Sequence, residues 1–420
     1  MQMMLKFRLP DKIVFGVQLF WGLWFVLMII FSKYATSMSI IGFGALGFYY
    51  AVTHFEKPFS SYLLKLIGIN AQSYGFLALT FVFWITVLGY FNSEDTSYWL
   101  SRVRIRLPFL ALPLVFYWIP WREKKRRMVM MLAVTLIFCA STYVSIQYWM
   151  HYDAWNELLK SGSPIPVPMQ DHIRYAQLQA FILISGVYWL KCDTNLGINI
   201  RRLFWFALAG IFFFIHLLAV RSGLLIAYSG LLVLFLLNIF DWKKWQIVVG
   251  IFLLSLIAFS TVYFIPSLKT KVNYMIWDIQ SYQEGEHLNN SDSGRWISYE
   301  AGLKLWKQNK LFGIGPGDMD NELEQLYKKD YPNEANYKQP HNQFLNTMVA
   351  SGILGMVIFV IIWLMLFVFG LKTNNPLLCA LTIATIASFM VESPLETARG
   401  TALIGFWLSL WMRKFDANEI

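Results

Sequence analysis

Long apolar runs separated by short basic segments set the frame of this 420-residue chain. The run from Leu203 to Phe240 is nearly unbroken, and its only formal charge is Arg221, close to the midpoint. A bilayer-spanning helix takes about 20 apolar residues. The run therefore reads as two helices folded back on each other, with Arg221-Ser222-Gly223 as the turn. The same counting gives twelve candidate spans, at 13–31, 37–52, 75–91, 107–121, 128–149, 176–190, 203–220, 224–240, 246–265, 346–370, 377–391 and 399–412. The 107–121 run is short and holds Pro108, Pro113 and Pro120, which predicts a kink or a re-entrant segment. The expected fold is an all-α polytopic membrane protein of about twelve transmembrane helices. Spans 1–9 fall in residues 1–265, a large extramembrane loop in 266–345, and spans 10–12 with a tail in 346–420.

Composition agrees. The chain is 57% hydrophobic and only 14% charged, against about 25% charged for soluble domains. The +10 balance sits mainly in segments between apolar runs, so it argues against nucleic acid as a partner. Cys139, Cys192 and Cys379 lie within or beside spans, so no structural disulfide is expected. Ile13 to Phe31 follows Lys6, Arg8 and Lys12, but it is longer than a signal h-region and lacks a small-residue cleavage site. It reads as a retained first span. Placing both termini in the cytoplasm puts Arg122-Glu123-Lys124-Lys125-Arg126-Arg127 inside, together with Lys191, Arg201, Arg202, Lys243, Lys244, Arg413 and Lys414. Arg102, Arg104, Arg106, Arg221 and Arg399 then lie outside, where cations are scarce. The first three either anchor an interfacial helix on headgroups or gather an anionic substrate, and the sequence leaves both open. The 266–346 loop carries nine Lys/Arg and eleven Asp/Glu and is expected to fold; a second outer loop near 150–175 contains Pro164, Pro166 and Pro168.

Three patterns converge on that outer face. Arg221 stands at a membrane boundary, where a cation is either a snorkelling anchor or a ligand-binding group. In Asp292-Ser293-Gly294-Arg295-Trp296, Asp292 or Ser293 is expected to cap a helix. That would leave Arg295 beside free backbone N–H groups, a phosphate-binding arrangement; the plainer reading pairs Arg295 with Asp292 or Glu300. The stripe Trp296, Tyr299, Leu303, Trp306 is expected to pack on the membrane domain. In Pro340-His341-Asn342, His341 is placed to take a proton from a hydroxyl, although a lone loop histidine is more often structural. His54, His151, His172, His216 and His287 read as structural, with His216 near enough to Arg221 to support it. Gly313-Ile314-Gly315-Pro316-Gly317 lacks the Lys-Ser/Thr of a nucleotide loop and reads as a positioning turn. The Asp318, Asp320, Glu322, Glu324 run reads as a solvated helix face, and no cluster has metal-ligand spacing.

In this order and topology the motifs resemble those of the O-antigen ligase/polymerase superfamily, most clearly over residues 203–412. The resemblance implies a type-C glycosyltransferase-like fold in the bacterial inner membrane. It implies transfer of a glycan from an undecaprenyl-diphosphate carrier at the periplasmic face, with no cofactor and no required metal. By motif, Arg221 and Arg295 would bind the diphosphate and His341 would activate the acceptor hydroxyl, flanked by Asn342. Glu392 and Glu396 in Glu-Ser-Pro-Leu-Glu are supporting candidates, with His216, Arg399, Arg102, Arg104 and Arg106. Lipid A-core is the first expected acceptor; a second carrier-linked unit (polymerase) or an exported protein (protein O-oligosaccharyltransferase) are alternatives. A transporter or flippase of an anionic lipid-linked saccharide would use the same arginines, but it needs polar groups near the bilayer midplane.

Overall fold

The computed structural model describes residues 9–54, 73–237, 239–284, 292–332, 334 and 336–415, and among these it contains helices and no strand. In chain order the helices are α1 (Asp11–Phe31), α2 (Lys33–His54), α3 (Ser73–Leu88), α4 (Thr96–Arg106), α5 (Pro108–Trp118) and α6 (Glu123–Met150). Next come α7 (Tyr152–Lys160), α8 (His172–Cys192), α9 (Ile198–Leu217), α10 (Arg221–Leu236), α11 (Lys244–Phe264) and α12 (Pro266–Gln283). The last are α13 (Ser293–Gln308), α14 (Met319–Asp330), α15 (Gln343–Lys372), α16 (Pro376–Val391) and α17 (Ala398–Leu410). Each apolar run of the sequence coincides with a helix. Seven described helices are long and apolar enough to cross a membrane by length and composition, which is the architecture of a polytopic membrane protein. Large apolar side chains such as Trp245, Phe252 and Phe259 of α11 point outward, as lipid-facing residues do.

Two helices form the centre. Every residue of α8 from Arg174 to Gly186 is buried, as is every residue of α17 from Gly400 to Leu410. Several polar groups enclosed between these helices are paired, as an unmet buried donor costs about 1–3 kcal/mol. The Trp407 indole N–H donates to Ser185 Oγ at 2.7 Å, and Gln179 Nε2 donates to Ser141 Oγ at 2.7 Å. The proline-rich run gives α5, an 11-residue helix of roughly 16 Å, about half a bilayer core. Pro108 enters at its first turn, where a missing N–H costs nothing. Leu107, itself helical at φ −51° and ψ −34°, joins α5 directly to α4.

The loop at 309–318 does more than turn. Helix α15 breaks at Gly352 (φ +67°, ψ −171°), a region open essentially to glycine alone. The loop backbone takes up the freed groups: Ile314 and Gly315 donate to Val349 and Ala350 carbonyls at 2.9 and 3.0 Å, and Ile353 donates to Lys310 at 2.9 Å. Gly313 (φ +75°) and Gly315 (φ +93°) allow this approach; a Cβ on Gly352 would meet the Leu311 carbonyl oxygen at 2.0 Å. Asn92 Nδ2 donates to the Phe312 and Gly313 carbonyls at 3.0 and 2.7 Å. The acidic run after the loop is not a solvated face throughout, as expected from sequence. Asp318 accepts from the Glu94 and Asp95 amides at 2.9 and 2.8 Å, and Asp320 from the Tyr98 hydroxyl at 2.9 Å, because they tie α14 to the start of α4.

Gly352→Ala is expected to cost about 1–3 kcal/mol from backbone conformation alone, with the Leu311 clash added. Gly44→Ala, in α2 with open space at its Cβ, is expected to be neutral or to stabilise by roughly 0.5–1 kcal/mol. Thermal unfolding in detergent separates them; equal midpoints would show that the break in α15 is not held as described.

Candidate active site

Arg221 reaches its position through an unusual turn. The reversal between α9 and α10 lies at Leu218-Ala219-Val220, with Ala219 in the left-handed region at φ +54°. Arg221-Ser222-Gly223 is therefore the first turn of α10 rather than the connecting turn expected from sequence. Gly223 serves packing instead: a Cβ there would press on the Ala176 methyl of α8 at 2.5 Å. Arg295 sits in the first turn of α13. Helix α13 lacks its expected cap, because the Asp292 side chain makes no capping bond and turns to the arginines instead. Nor is the helix start open to a phosphate. Buried Asp278 on α12 accepts from the Asp292 and Ser293 amides at 2.8 and 3.3 Å.

The outcome is a line of alternating charges. Arg221 Nη2 meets Asp292 Oδ1 at 2.6 Å, and Arg295 Nη1 meets the same oxygen at 3.5 Å. Arg295 Nη2 meets Glu392 Oε1 at 2.8 Å, and the other Glu392 oxygen faces His341 Nδ1 at 3.3 Å. The backbone of His341 is fixed as well: its amide donates to Ser298 Oγ at 3.3 Å, and its carbonyl accepts from the Tyr299 hydroxyl at 3.1 Å. Burial pushes the Glu392 carboxyl upward, but the hydrogen bond from His341 and the charges of Arg295 and Arg174 outweigh it, holding the group below the usual range. Arg174, buried at the start of α8, bonds Thr397 Oγ1 and Gln177 Oε1, both at 3.3 Å.

Beside this line opens a cavity of about 500 Å³ lined by Arg221, Lys271, Arg295, Lys338, His172 and His341. Four cations and two imidazoles around such a volume are the donor set for a compact, multiply charged anion. Lys271 donates to the Gly162 carbonyl at 2.6 Å. Its pKa is lowered to about 8, first by burial and then by Arg221, with Asp292 opposing. Among the described residues no group of three or more His, Cys, Asp or Glu side chains gathers as a metal cage would.

The remaining sequence candidates fall elsewhere. His216 does not support Arg221: its ring nitrogens face the Phe212 carbonyl at 2.7 Å and the Tyr228 hydroxyl at 2.8 Å, between α9 and α10. Glu396 holds Arg106 at 2.5 Å and Arg102 at 3.6 Å, with Gln343 Nε2 donating to it at 2.8 Å. That cluster clamps α4 to the 394–396 turn, so two of the three arginines of α4 are spent on a carboxylate; Arg104 is exposed. Arg399 donates to the Met169 carbonyl at 2.5 Å. Asn342 caps α15 through Leu345 N at 3.0 Å and donates to the Met390 carbonyl at 3.1 Å. The aromatic stripe of α13 is not its packed face. Trp296 and Leu303 are exposed, whereas Ile297, Ala301 and Leu305 are buried. His287 lies outside the described residues.

Residues 206–360 match the family model described as O-antigen ligase. Over this segment the chain is similar to the O-antigen ligase family. The match contains Arg221, Arg295 and His341, and ends before Glu392. That similarity suggests glycan transfer in polysaccharide or lipopolysaccharide biosynthesis, with lipid-linked glycans and their acceptors as the general class of partner. No curated protein matches the chain. Beyond the O-antigen ligase motifs, Arg174, Lys271 and Lys338 had no distinguishing signal in the sequence. Each is a single cation at the edge of a helix or in a mixed-charge loop; packing brings Lys271 and Lys338 to the cavity wall and Arg174 near Glu392.

Lys271 gives the cavity a pH dependence. As pH rises through about 8 the lysine loses its charge, so affinity for a pyrophosphate diester of constant charge is expected to fall about fivefold, roughly 1 kcal/mol of charge interaction. Calorimetry from pH 7 to 9 would show the slope, and Lys271→Met should flatten it; an unchanged slope in that variant would place the titration elsewhere. The stability effect has the opposite sign. Lys271 titrates lower folded than unfolded, so the unfolded chain binds more protons above about pH 8, and this group's contribution to stability rises with pH.

Proposed function

We propose that this protein transfers a glycan from undecaprenyl diphosphate to an acceptor hydroxyl at the periplasmic membrane face, with ligation of O-antigen to lipid A-core as its reaction. The carrying observation is the line Arg221–Asp292–Arg295–Glu392–His341 along one wall of the cation-lined cavity. It supports a diphosphate held by arginines within reach of an oriented imidazole. The twelve helices that coincide with apolar runs are read as spans, with both termini in the cytoplasm of a bacterial inner membrane.

In this reading the diphosphate lies in the cavity against Arg221, Arg295 and Lys271. Each guanidinium has five N–H donors, so contacts to Asp292 and Glu392 leave others for phosphate oxygens. His341 Nδ1 donates to Glu392, which leaves Nε2 to accept the proton of the acceptor hydroxyl. The hydroxyl oxygen attacks the anomeric carbon as the bond to the diphosphate oxygen breaks, and the departing electron pair stays on the diphosphate. The cations compensate the charge building there, in a site where fixed charges act more strongly than in water. The leaving group is already good, so the transfer calls for one base and no metal, and the anomeric configuration inverts. Ligase, polymerase and protein-transferring versions share this donor arrangement and differ in the acceptor.

The test is transfer by purified protein in detergent, with undecaprenyl-diphosphate-linked glycan, EDTA and, in separate tubes, lipid A-core, excess donor or an exported protein. Product is expected with lipid A-core and of inverted configuration. His341→Ala should lower the rate about 10²–10⁴-fold, and Arg221→Ala and Arg295→Ala should abolish transfer without loss of expression. Glu392→Gln should cost up to about 100-fold through loss of orientation. Transfer by His341→Ala at the wild-type rate would end the base assignment, and a product of retained configuration would end direct displacement.

A further inference from the structure

A second, larger cavity lies at the opposite end of the helix bundle. Helix α15 starts beside His341 and, after its break at Gly352, runs on to Lys372, roughly 30 Å of helix, so that Phe369 and Thr373 reach this cavity near its far end. Its volume is about 800 Å³, and its walls come from α1, α3, the α5–α6 link, α15 and the segment after α17. Four cations line it, Arg122, Arg126, Arg413 and Lys414, against one carboxylate, Glu123. The two parts of that charge differ in kind. Arg126 and Glu123 are buried and pair with each other, and Arg126 also donates to the Arg413 and Lys414 carbonyls at 2.7 and 3.2 Å. This pair is structural: it fixes the chain after α17 against α6. Arg122 and Lys414 are exposed at the rim, so their charge faces outward.

The rest of the wall is aromatic and apolar. Phe15 carries the Arg122 guanidinium on its ring face at 4.5 Å and the Lys125 ammonium at 4.3 Å. Phe76, Phe369, Met412 and Trp121 continue this surface, and the buried Trp121 indole N–H has no hydrogen-bond partner. Cations at a rim over an aromatic wall, at the boundary of a membrane bundle, match a ligand with an anionic head and an apolar body. A soluble anion would have no use for the wall, and a neutral lipid none for the rim.

We propose that this cavity is a binding site for an acidic phospholipid, its phosphodiester at Arg122 and Lys414 and an acyl chain along Phe15, Phe76 and Phe369. Basic pockets between membrane helices on the cytoplasmic side take such headgroups. The site is separate from the proposed transfer chemistry and does not depend on it.

Native mass spectrometry of the full-length protein in detergent tests the assignment, with phosphatidylglycerol, phosphatidylcholine and inorganic phosphate as probes. Phosphatidylglycerol is expected to stay bound, and Arg122→Gln with Lys414→Gln should weaken it about tenfold or more. Lys124→Gln, on the same basic segment but outside the cavity lining, should leave binding unchanged, and both variants should keep the wild-type melting temperature. Equal loss in Lys124→Gln would reduce the effect to surface charge and overturn the site. Phosphatidylcholine binding as tightly would overturn the headgroup assignment. Displacement of phosphatidylglycerol by millimolar inorganic phosphate would make this a free-phosphate site rather than a lipid site.

Discussion

Asp292 is the group on which the arrangement of the site depends. One of its carboxylate oxygens accepts from both Arg221 and Arg295, at 2.6 and 3.5 Å, and so joins the start of α10 to the start of α13. Two guanidinium groups this close repel each other strongly in a partly desolvated setting, and a buried carboxylate between them converts repulsion into attachment. Glu392 repeats the device one step further, between Arg295 and His341 at 2.8 and 3.3 Å. Four segments far apart in the chain thereby meet at side-chain termini. The carboxylates are buried and the arginines partly exposed, so removing an arginine leaves a buried carboxylate without its compensating charge. The carboxylates consequently have two effects, holding the cations in place and lowering the net charge that an anionic ligand meets.

The second constraint is backbone supply. A helix broken inside a membrane bundle exposes N–H and C=O groups that lipid cannot satisfy, so such a break survives only where other protein backbone covers it. Residues 310–315 provide that cover at Gly352, and they do so with glycines because a Cβ on Gly313 or Gly315 would strike backbone atoms at 2.5 or 2.1 Å. The 310–315 segment is thereby pinned to α15, the helix whose first residues follow His341. Asp318, on the Glu94 and Asp95 amides, and Glu396, on Arg102 and Arg106, secure the same region to α4. Charged residues that look available for a substrate are here consumed by attachment.

Cations thus have distinct duties at the two ends of the bundle. Near His341 they line a cavity shared with His172 and the 161–164 and 218–220 segments, whereas at the far end they ring a cavity walled by Phe15, Phe76 and Phe369. The difference lies in what accompanies the charge. Two histidines stand beside the first set, and Phe15, Phe76, Phe369 and Trp121 beside the second, which favours a multiply charged group in one cavity and an amphipathic lipid in the other.

The helical plan was legible from the chain alone, because apolar runs of bilayer length and the basic segments between them leave few other ways to satisfy backbone polar groups in lipid. The order of Arg221, Arg295 and His341 along that plan also carried the family resemblance. Partnership was not legible. That Glu392 joins the site while Glu396, four residues on, clamps Arg106 depends on the direction each side chain takes around a short turn. That His216 is occupied by Phe212 and Tyr228 depends on the rotation of α9 against α10. Lys271 and Arg174 enter only because α12 and α8 bring them there. Hydrophobic length along the chain determined which segments are helices. Which charge neutralises which, and which remains for a ligand, is a matter of a few ångströms between distant segments and was decided only by packing.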